Sequence, residues 1–493
     1  MSSESALVEG GGERRLHPWS WLFVLLQQLR QFAVPILVLV FGAGGNTWEL
    51  WGLAGAGVLV AISVARYFTY RFRIDADGVV IRSGLLERSH RHVPWRRIHN
   101  VALHQTLLHR LFGVAEVRLE SAGGAGRPEA EMRVLSLADA QALEALVRGH
   151  TEGTGSAAGG ASATAAPARV LLHLPTAEII RLGLVSNRGM VMFGAVIAVL
   201  AQNGSDLLGR VVENLGRSLL GFGERLHLDA IGWTVGALAL LLLAVIVLRL
   251  LSIGWNLLNY HDFTLGESGR RLSVQRGLLT RSRANMPRDR IQAWTLRESL
   301  TQRLLGRRSI EVDSATVTTG NDDRGSLRAL APVIPPDAAD ALIRHLLPDT
   351  AWPPAQWQPL HPRAWRRQLV LPALGVLAAT ALLAWREGPW ALVLLSLLPL
   401  LIVRARIWAR HAGWCVDGGL IVVREGWLDR TWRFAEVRKV QALQLSQTPF
   451  DRRHGMATLL FDTAGAGALA PVRIRYLPEA VARELYDRMT VSE

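Results

Sequence analysis

The sequence of 493 residues contains a single cysteine, Cys415. An internal disulfide and a metal site made of several cysteines are therefore excluded. The chain also has no phosphate-binding P-loop, no His-Glu-x-x-His zinc motif and no Gly-x-Ser-x-Gly nucleophile elbow. Residues 1–15 are polar and lack the charged-then-apolar pattern of a cleaved signal peptide. We therefore predict that the protein is not an enzyme, has no catalytic residues and uses no cofactor.

Half of the residues are hydrophobic, 17 are tryptophan, and the mean hydropathy is +0.20. This balance is typical of a membrane protein with sizeable soluble parts. The formal net charge of +14 fits either a nucleic acid or an anionic membrane surface as a partner. The chain has no tail rich in lysine and arginine and no aromatic stacking motif, which disfavours nucleic acid. We therefore expect membrane lipids as partners, and no nucleic acid.

Six apolar segments have about the length that a helix needs to cross a bilayer. They form three pairs, 19–41 with 48–68, 182–201 with 231–254, and 368–385 with 390–408. The pairs predict three transmembrane hairpins, about six spans in all. The loop at 204–228 has an apolar stripe with helical spacing, which fits either an interfacial helix or an extension of the spans. Trp352 and Trp357 precede the third pair and are predicted to be interfacial anchors.

One pattern occurs three times, at Gly84–Gly113, Gly277–Gly306 and Gly426–Gly455, and we call these occurrences copies one, two and three. In each copy an aliphatic residue follows the first glycine by 14 positions, and a hydroxyl residue precedes the second glycine by seven. These residues are Ile98, Ile291 and Val440, and Thr106, Ser299 and Thr448. A register that holds three times marks an internal repeat. The copies start 193 and 149 residues apart, too far for a solenoid, so each is predicted to be the centre of a separate domain.

Each domain is predicted to contain strands, a short helical turn, further strands and a terminal helix. Copies one and three follow hairpin patterns with turns at 75–78 and 417–419. After the second glycine of copy one, Ala115, Val117 and Leu119 alternate with charged residues, as in a half-buried strand. Helical patterns end the domains at 137–147, 336–347 and 478–489.

The second glycine of each copy follows the short helical turn and precedes a strand. A left-handed residue commonly ends a helix there, and glycine takes this conformation at the lowest steric cost. We therefore predict a left-handed backbone at Gly113, Gly306 and Gly455.

The repeat resembles the bacterial pleckstrin-homology-like (PH-like) domain of the second type. In copy one the matching residues are Gly84, Arg97, Ile98, Gln105, Thr106, Leu111 and Gly113. In copy two they are Gly277, Arg290, Ile291, Ser299, Leu304 and Gly306, with Glu298 in place of glutamine, and in copy three Gly426, Lys439, Val440, Gln447, Thr448 and Gly455, with Arg453 in place of leucine. Three copies separated by membrane segments are similar to the YdbT-like bacterial membrane proteins. The resemblance implies a barrel in which a terminal helix caps a bent antiparallel sheet, and it carries no catalytic residues.

The predicted fold is a multi-domain integral membrane protein in which three α-helical transmembrane hairpins alternate with three small α+β PH-like barrels. The predicted parts are 1–69 for the N-terminus and first hairpin, 70–150 for PH-like domain 1, 151–181 for a flexible linker, 182–258 for the second hairpin, 259–348 for domain 2, 349–409 for the third hairpin and 410–493 for domain 3. Six spans would place all three domains on one side of the membrane. Arginines flank the first and third exits at Arg66, Arg71, Arg73, Arg404, Arg406 and Arg410. The positive-inside rule therefore predicts a multi-pass protein of the inner (cytoplasmic) membrane with cytoplasmic domains.

Five histidines of copy one form the most prominent candidate for a metal site: His90, His92, His99, His104 and His109. Histidine is a common metal ligand. The equivalent residues are Arg283, Asn285, Gln292, Arg297 and Gln302 in copy two, and Trp432, Phe434, Gln441, Ser446 and Asp451 in copy three. Because no set of ligands recurs, we predict a solvated polar face and no metal site.

Basic residues, in contrast, recur at similar positions in all three copies. They are Arg88, Arg91, Arg96 and Arg97, then Arg281, Arg283, Arg288 and Arg290, then Arg430, Arg433, Arg438 and Lys439. Each domain is predicted to begin at a membrane exit, so these residues lie within reach of anionic headgroups or of an acidic partner. A solvated basic face without a ligand is the alternative explanation.

Two functional classes fit these features. The first is a non-enzymatic membrane scaffold whose cytoplasmic PH-like domains bind each other, a protein partner or anionic lipid headgroups, with self-association or a membrane protein as partner. The second is a lipid-handling or transport protein of the cell envelope that uses the six spans. Asp, Glu, Lys and His are scarce inside the predicted spans, whereas coupled transporters place such groups near the bilayer midplane. We therefore favour the scaffold.

Overall fold

The computed structural model describes most of the chain from residue 71 onward. The described residues are 14–15, 71–75, 77–83, 88–95, 98–121, 130–153, 169–202, 229–314, 328–417, 419–463 and 471–490, together with the isolated positions 57, 61, 69, 209, 213, 214 and 216–218. The first predicted pair of spans, most of the loop at 204–228, and Gly84, Arg96 and Arg97 lie outside them.

Each copy contributes seven strands, a short helix and a terminal helix. In copy one the elements are β1 (Arg14–Arg15), β2 (Arg71–Asp75), β3 (Gly78–Ser83), β4 (Ser89–Pro94), β5 (Ile98–Gln105), α1 (Leu107–Leu111), β6 (Val114–Ser121), β7 (Ala130–Ser136) and α2 (Leu137–Gly153). In copy two they are β8 (Arg169–His173), α3 (Thr176–Val185), α4 (Arg188–Gln202), α5 (Ala230–Tyr260), β9 (Thr264–Ser268), β10 (Arg271–Arg276), β11 (Arg281–Pro287), β12 (Ile291–Glu298), α6 (Leu300–Leu304), β13 (Arg308–Ser314), β14 (Ala329–Ile334) and α7 (Pro336–Leu346).

Copy three repeats this order after a pair of long helices. Its elements are β15 (Gln358–Pro359), α8 (Ala364–Glu387), a 3₁₀ helix (Pro389–Ser396), α9 (Leu397–His411), β16 (Gly413–Asp417), β17 (Leu420–Glu425), β18 (Arg430–Glu436), β19 (Val440–Ser446), α10 (Pro449–Arg453), β20 (Met456–Thr463), β21 (Val472–Pro478) and α11 (Glu479–Thr490). The β-hairpins predicted with turns at 75–78 and 417–419, and the three predicted terminal helices, are therefore confirmed.

The core of copy one lies between two small sheets. Phe72 and Val79 from β2 and β3 pack with Val117 and Leu119 of β6, and Leu143 of α2 closes the same cluster. The predicted alternation of β6 is confirmed, because its apolar side chains are fully buried. Two facing sheets with a terminal helix against them form the expected PH-like arrangement.

The short helices begin at the hydroxyl residue of the repeat and end before its second glycine. Thr106, Ser299 and Thr448 are the N-cap residues of α1, α6 and α10, and each hydroxyl accepts the backbone N–H three residues later. The glycines that follow, Gly113, Gly306 and Gly455, have φ of +64°, +59° and +64°. The predicted left-handed helix stop is confirmed at all three positions. The hydroxyl and the second glycine of the repeat thus define the two ends of one structural element.

The sheets do not stop at the ends of the copies. One seven-stranded sheet has the order β7-β6-β5-β11-β10-β9-β8, so β5 of copy one pairs with β11 of copy two. A second has the order β14-β13-β12-β18-β17-β16-β15, so β12 of copy two pairs with β18 of copy three. We call these pairings the first and second junctions. The three domains therefore form one row joined by shared sheets.

Each copy begins with a strand that precedes its membrane segment in the sequence. β1 pairs with β2, β8 with β9, and β15 with β16, all antiparallel. The linker predicted at 151–181 is therefore too long: β8 lies within it and α3 starts before its end, because the apolar run Val170–Leu172 adds to the edge of the sheet. The membrane segment of each copy is thus an insertion between the first two strands of a PH-like domain.

Three helices in the described part of the chain are long and apolar enough to cross a membrane. They are Ile231–Tyr260, Ala364–Glu387 and Pro389–His411. The last two contact each other, are joined at Gly388, and coincide with the third predicted pair. The described residues therefore contain three candidate spans, whereas the sequence predicts about six for the whole chain.

The span predicted at 182–201 is wrong as one continuous helix. α3 ends at Val185 and α4 begins at Arg188. From α5, the Arg249 guanidinium donates to the carbonyl oxygen of Leu184 at 3.0 Å, and the Ser252 hydroxyl donates to that of Ser186 at 2.9 Å. The break persists because these side chains satisfy carbonyls that a continuous helix would bond internally. α3 belongs in part to the soluble domain, since its Ile179 is buried in the core of copy two.

Candidate interdomain and lipid-facing sites

The two junctions have the same register. Counted from the first glycine of each copy, position 4 of one copy pairs with position 21 of the preceding copy. These pairs are Arg281 with Gln105 and Arg430 with Glu298. The next pairs inward are Ser282 with His104 and Thr431 with Arg297, then Arg283 with Leu103 and Trp432 with Leu296. The repeat therefore encodes one way of joining successive copies.

One arginine side chain reaches across each junction. From α1, Arg110 donates to the main-chain oxygen of Leu278 at 3.4 Å. From α6, Arg303 donates to the main-chain oxygens of Trp427 at 2.7 Å and Leu428 at 3.2 Å. Both arginines follow the first glycine of their copy by 26 positions, and the acceptors are the first one or two residues after the first glycine of the next copy. This arginine was not among the predicted site residues, although an arginine recurs at this position in all three copies.

The second junction has an aromatic core shared by copies two and three. Trp294 of β12 stacks on Phe434 of β18 with ring centroids 6.1 Å apart, and Trp352 packs on the same phenylalanine at 4.5 Å. Trp352 is 7% exposed, and its indole N–H donates to Asp340 at 2.9 Å. The prediction of an interfacial anchor is therefore wrong for Trp352, because its ring fills the junction. Trp357 lies under the guanidinium of Arg424, 4.5 Å from the ring centre.

Buried charges mark both junctions. At the first, Glu144 of α2 accepts a hydrogen bond from Asn285 at 2.8 Å and lies 3.8 Å from Arg283. At the second, Asp313 of β13 accepts from Arg433 at 3.3 Å. Burial raises the pKa of Asp313 to about 6 and lowers the pKa of Arg433, so desolvation outweighs their mutual attraction.

The predicted basic residues fall into two structural groups. One group lies on β4, β11 and β18 or directly before β4: Arg88, Arg91, Arg281, Arg283, Arg430 and Arg433. Arg88, which precedes β4, and Arg91 are exposed, whereas Arg283 and Arg433 contact carboxylates at the junctions. The other group lies on the 3₁₀ turns after β11 and β18: Arg288, Arg290, Arg438 and Lys439. Their recurrence therefore follows the repeated junction strand and the turn behind it.

The turn residues border a polar cleft of about 320 Å³ between copies two and three. Arg270, Arg288, Arg438 and Lys439 line it together with Asp289, Asp349 and Glu436. Lys439 contacts Glu436 at 2.6 Å and donates to the main-chain oxygen of Ile291, also at 2.6 Å. A hydrogen bond from Arg270 holds the pKa of Asp289 below its usual value. The internal carboxylates thus compensate much of the positive charge that an anion would need.

A second cavity, of about 260 Å³, lies where the long helices meet copy three. Leu369 and Pro372 of α8 and Leu401 of α9 form its apolar wall. Arg404 and Trp408 of α9, together with the loop 426–429, line the rest. An apolar wall beside one arginine and an indole matches the chemistry of an anionic lipid, whose phosphate and acyl chain need opposite surroundings.

The histidines of copy one are divided between two environments. His90 and His92 are exposed on β4, whereas His104 and His109 are buried. The Nδ1 atom of His109 lies 2.6 Å from the Thr106 hydroxyl, within the cap of α1. The described residues contain no group of three or more histidine, cysteine, aspartate or glutamate side chains arranged to hold a metal ion.

The comparisons with known proteins agree with this architecture. The profile of the family described as Bacterial PH domain matches residues 22–151, 218–350 and 369–490. The chain belongs to the bacterial PH domain family. The curated UPF0699 transmembrane protein YdbT of Bacillus subtilis (strain 168) is 21% identical to this bacterial PH domain protein over 483 residues, covering 94% of this chain and 96% of that protein. No solved structure matches this chain.

These findings confirm the resemblance that the sequence motifs indicate. The three matched regions contain the three copies, and the relative has nearly the same extent. With three candidate spans of its own, this bacterial PH domain protein is a membrane protein with repeated PH-like domains.

Proposed function

We propose that the protein is a non-enzymatic membrane scaffold whose three PH-like domains form one rigid row on the cytoplasmic side of the inner membrane. The observation that carries this proposal is the pair of shared seven-stranded sheets, which join successive domains in one register. Main-chain pairing, a crossing arginine and a common core support each other at the second junction. Such a row presents fixed surfaces to lipids and partners and does not consist of three independent binding modules.

The strands that bracket each membrane segment support an even number of crossings. β15 and β16 are neighbours in one sheet, so the chain leaves and re-enters the third domain on the same side of the membrane. β8 and β9 impose the same condition on copy two, and β1 and β2 impose it on copy one. We therefore infer six spans, the other three supplied by segments that include residues 19–68 and α4.

The scaffold also binds anionic lipid in this proposal. The cavity between α8, α9 and the loop 426–429 offers Arg404 to a phosphate and leucine side chains to an acyl chain. The cavity lies at the cytoplasmic end of the third pair of helices, where headgroups are found. The proposed lipid contact is next to the second junction, because the main-chain oxygens of Trp427 and Leu428 also accept hydrogen bonds from Arg303.

Disulfide trapping tests the row of domains in the membrane. In a Cys415→Ala background, Arg297→Cys with Thr431→Cys places thiols on directly paired residues of β12 and β18. We expect rapid intrachain crosslinking in isolated membranes after mild oxidation, since paired antiparallel residues lie within disulfide distance. Arg297→Cys with Asp429→Cys, two residues out of register, is the matched control. Equal crosslinking of both pairs, or of neither, would contradict the shared sheet.

Lipid analysis of the purified full-length protein tests the lipid contact. Arg404→Gln removes the cation of the cavity, and Arg410→Gln, on the same helix but outside the cavity, is the control. We expect Arg404→Gln to retain less anionic lipid than wild type or the control after detergent extraction. Equal retention by both variants would leave the scaffold without this lipid site.

A further inference from the structure

Two of the strands that lie at a sheet edge in the described part of the chain could form a further junction. β4 is the last strand of the sheet β1-β2-β3-β4 of copy one, and β19 is the first strand of the sheet β19-β20-β21 of copy three. Each is the counterpart of a strand that is paired at a junction. β4 corresponds to β11 and β18, and β19 corresponds to β5 and β12.

Exposure along these strands reflects the missing neighbour. β12, which is paired on both sides, is buried at most of its positions. The corresponding β19 has no fully buried residue and exposes Gln441, Gln444 and Ser446. β4 is exposed at its first four positions, whereas Ser282 of the corresponding β11 is buried. The row of domains therefore has two different free strands, β4 and β19, and each corresponds to one side of a junction.

The arginine that crosses each junction is also present at the free end. Arg452 of α10 follows Gly426 by 26 positions, as Arg110 and Arg303 follow their own first glycines. Arg452 is exposed, and its guanidinium has no hydrogen-bond or ion-pair partner among the described residues. The β19 edge thus has both the main-chain register and the arginine with which copies one and two bind the copy after them.

We propose that β19 of one chain pairs with β4 of a second chain, which repeats the junction between molecules and joins copies of the protein head to tail in the membrane. This inference rests on the proposed scaffold and extends it. The junction register predicts that Gln447 pairs with Arg88, Ser446 with Ser89 and Leu445 with His90. The occupant is a second copy because these two edges are complementary to each other and lie at opposite ends of the row of domains. Head-to-tail contacts of this kind generate closed rings or open chains.

The sequence of β19 also favours pairing at its edge. An exposed strand edge is a site for further pairing, and natural proteins usually cover or blunt it. β19 carries no lysine or proline. Its pairing with β20 is irregular between Val440 and Ala442, and the junction strands β5 and β12 have the same irregularity. The exposed side chains of β19 are uncharged, and β4 offers Arg91, with Arg88 directly before the strand. A membrane restricts both chains to one plane and one orientation, which favours this pairing further.

The test is disulfide trapping between two distinguishable chains. Full-length Ser89→Cys and Ser446→Cys variants, both in the Cys415→Ala background and with tags of different size, are co-expressed, and their membranes are oxidised. We expect a covalent heterodimer. The matched control replaces Ser446→Cys by Gln444→Cys, which is also exposed but lies two residues along the strand, about 7 Å away. The control should crosslink far less.

A second pair of variants tests the crossing arginine. Arg452→Ala should lower the crosslinked fraction about tenfold at low expression, the effect of losing a charge-assisted hydrogen bond to a main-chain oxygen. Arg453→Ala, its exposed neighbour, should have little effect.

The outcomes separate this inference from the proposed scaffold. If a chain carrying both Ser89→Cys and Ser446→Cys forms only an intrachain bridge, the row closes on itself and the second copy is wrong. If neither bridge forms while Arg297→Cys with Thr431→Cys crosslinks, the inference fails and the scaffold stands. If that intrachain pair also fails, the scaffold itself is overturned.

Discussion

At the scale of single residues, the two glycines of each repeat have different constraints. A β-carbon on Gly306 would meet no atom within 4 Å, so the left-handed backbone alone requires glycine. A β-carbon on Gly277 would lie 2.0 Å from the carbonyl oxygen of Thr280, and the equivalent contact at Gly426 is also 2.0 Å. The first glycine therefore has both a conformational and a steric reason to be conserved among the copies.

We predict that Gly277→Ala destabilises the protein more than Gly306→Ala. Gly306→Ala should cost about 1 kcal/mol, the usual penalty for a left-handed alanine. Gly277→Ala adds a clash with main-chain atoms that only a backbone shift can relieve. Thermal unfolding of the full-length protein in detergent measures both. An isolated copy is the wrong sample because its sheet continues into the next copy. Equal losses for the two variants would contradict this explanation.

Asp313 should make stability depend on pH. Its folded pKa of about 6 lies above the value of about 3.9 expected in the unfolded chain, so the folded state binds the proton more tightly. Ionisation therefore lowers stability as the pH rises from about 4 to about 6, on the order of 2 kcal/mol. Asp313→Asn removes this titration, so the stability of wild type relative to the variant should fall over that interval and then level off. The exposed Asp349→Asn is the control, and parallel curves for wild type and Asp313→Asn would contradict the prediction.

At this scale, the correctly predicted features are those that depend on residues close together in the sequence. The second glycine of each copy predicted where α1, α6 and α10 end, because a left-handed helix stop depends on residues within one turn. The hydroxyl residues were found only as part of the repeat, and their role as N-caps was not predicted. The sequence showed that basic residues recur in the three copies, but it did not predict which side chains they contact. Arg433 and Asp313 are distant in the sequence and meet only because β12 pairs with β18. Whether any of them binds lipid stays a prediction.

At the scale of elements, Trp352 connects the segment before α8 with the second junction. It packs on Phe434 of β18 and donates to Asp340 of α7. We predict that Trp352→Ala costs about 3 to 5 kcal/mol, as for other buried aromatic residues, and that amides of both β12 and β18 exchange faster with deuterium. Trp352→Phe keeps the ring contact and should cost less. The half-buried Trp357 provides the comparison, and an equal loss for Trp357→Ala would argue against a special role for the junction.

Elements with a strong periodic pattern were predictable, and short isolated ones were not. The apolar segments at 368–385 and 390–408 correspond to two long helices, because length and composition alone identify such helices. β15 has only two residues and β8 has five, and a membrane segment separates each from its partner strand. Neither strand shows the alternation of apolar and polar residues from which a strand can be predicted. The break at Ser186 depends on Arg249 and Ser252 of another helix and has no local signal either.

At the scale of the whole molecule, the repeat predicted three domains but not the way in which they join. A single PH-like domain has a four-stranded and a three-stranded sheet. The sequence of one copy does not indicate that these sheets continue into the next copy. The information lies in the comparison of copies. Arg110, Arg303 and Arg452 recur at one position, and the junction strands share one register. A recurring side chain that bonds to the next copy is thus evidence for contact between domains, although Arg303 also contacts Glu298 of its own copy at 3.2 Å.

The bracketing strands lead to a prediction about topology. Because both ends of each membrane segment belong to one sheet, the three domains should lie on one side and the Gly388 turn on the other. We expect the domain side to face the cytoplasm, because the positive-inside rule applies to the arginines at 404, 406 and 410. In a Cys415→Ala background, an impermeant maleimide should label Glu387→Cys on intact cells, whereas Ser89→Cys, Asp349→Cys and Asp429→Cys should react only after permeabilisation. All four positions are exposed, so a failure to react reports the membrane and not burial. Labelling of one or two of the three domain positions on intact cells would show that a membrane segment crosses an odd number of times, which the paired strands do not allow. Labelling of all three would show that the domains lie outside the cytoplasm.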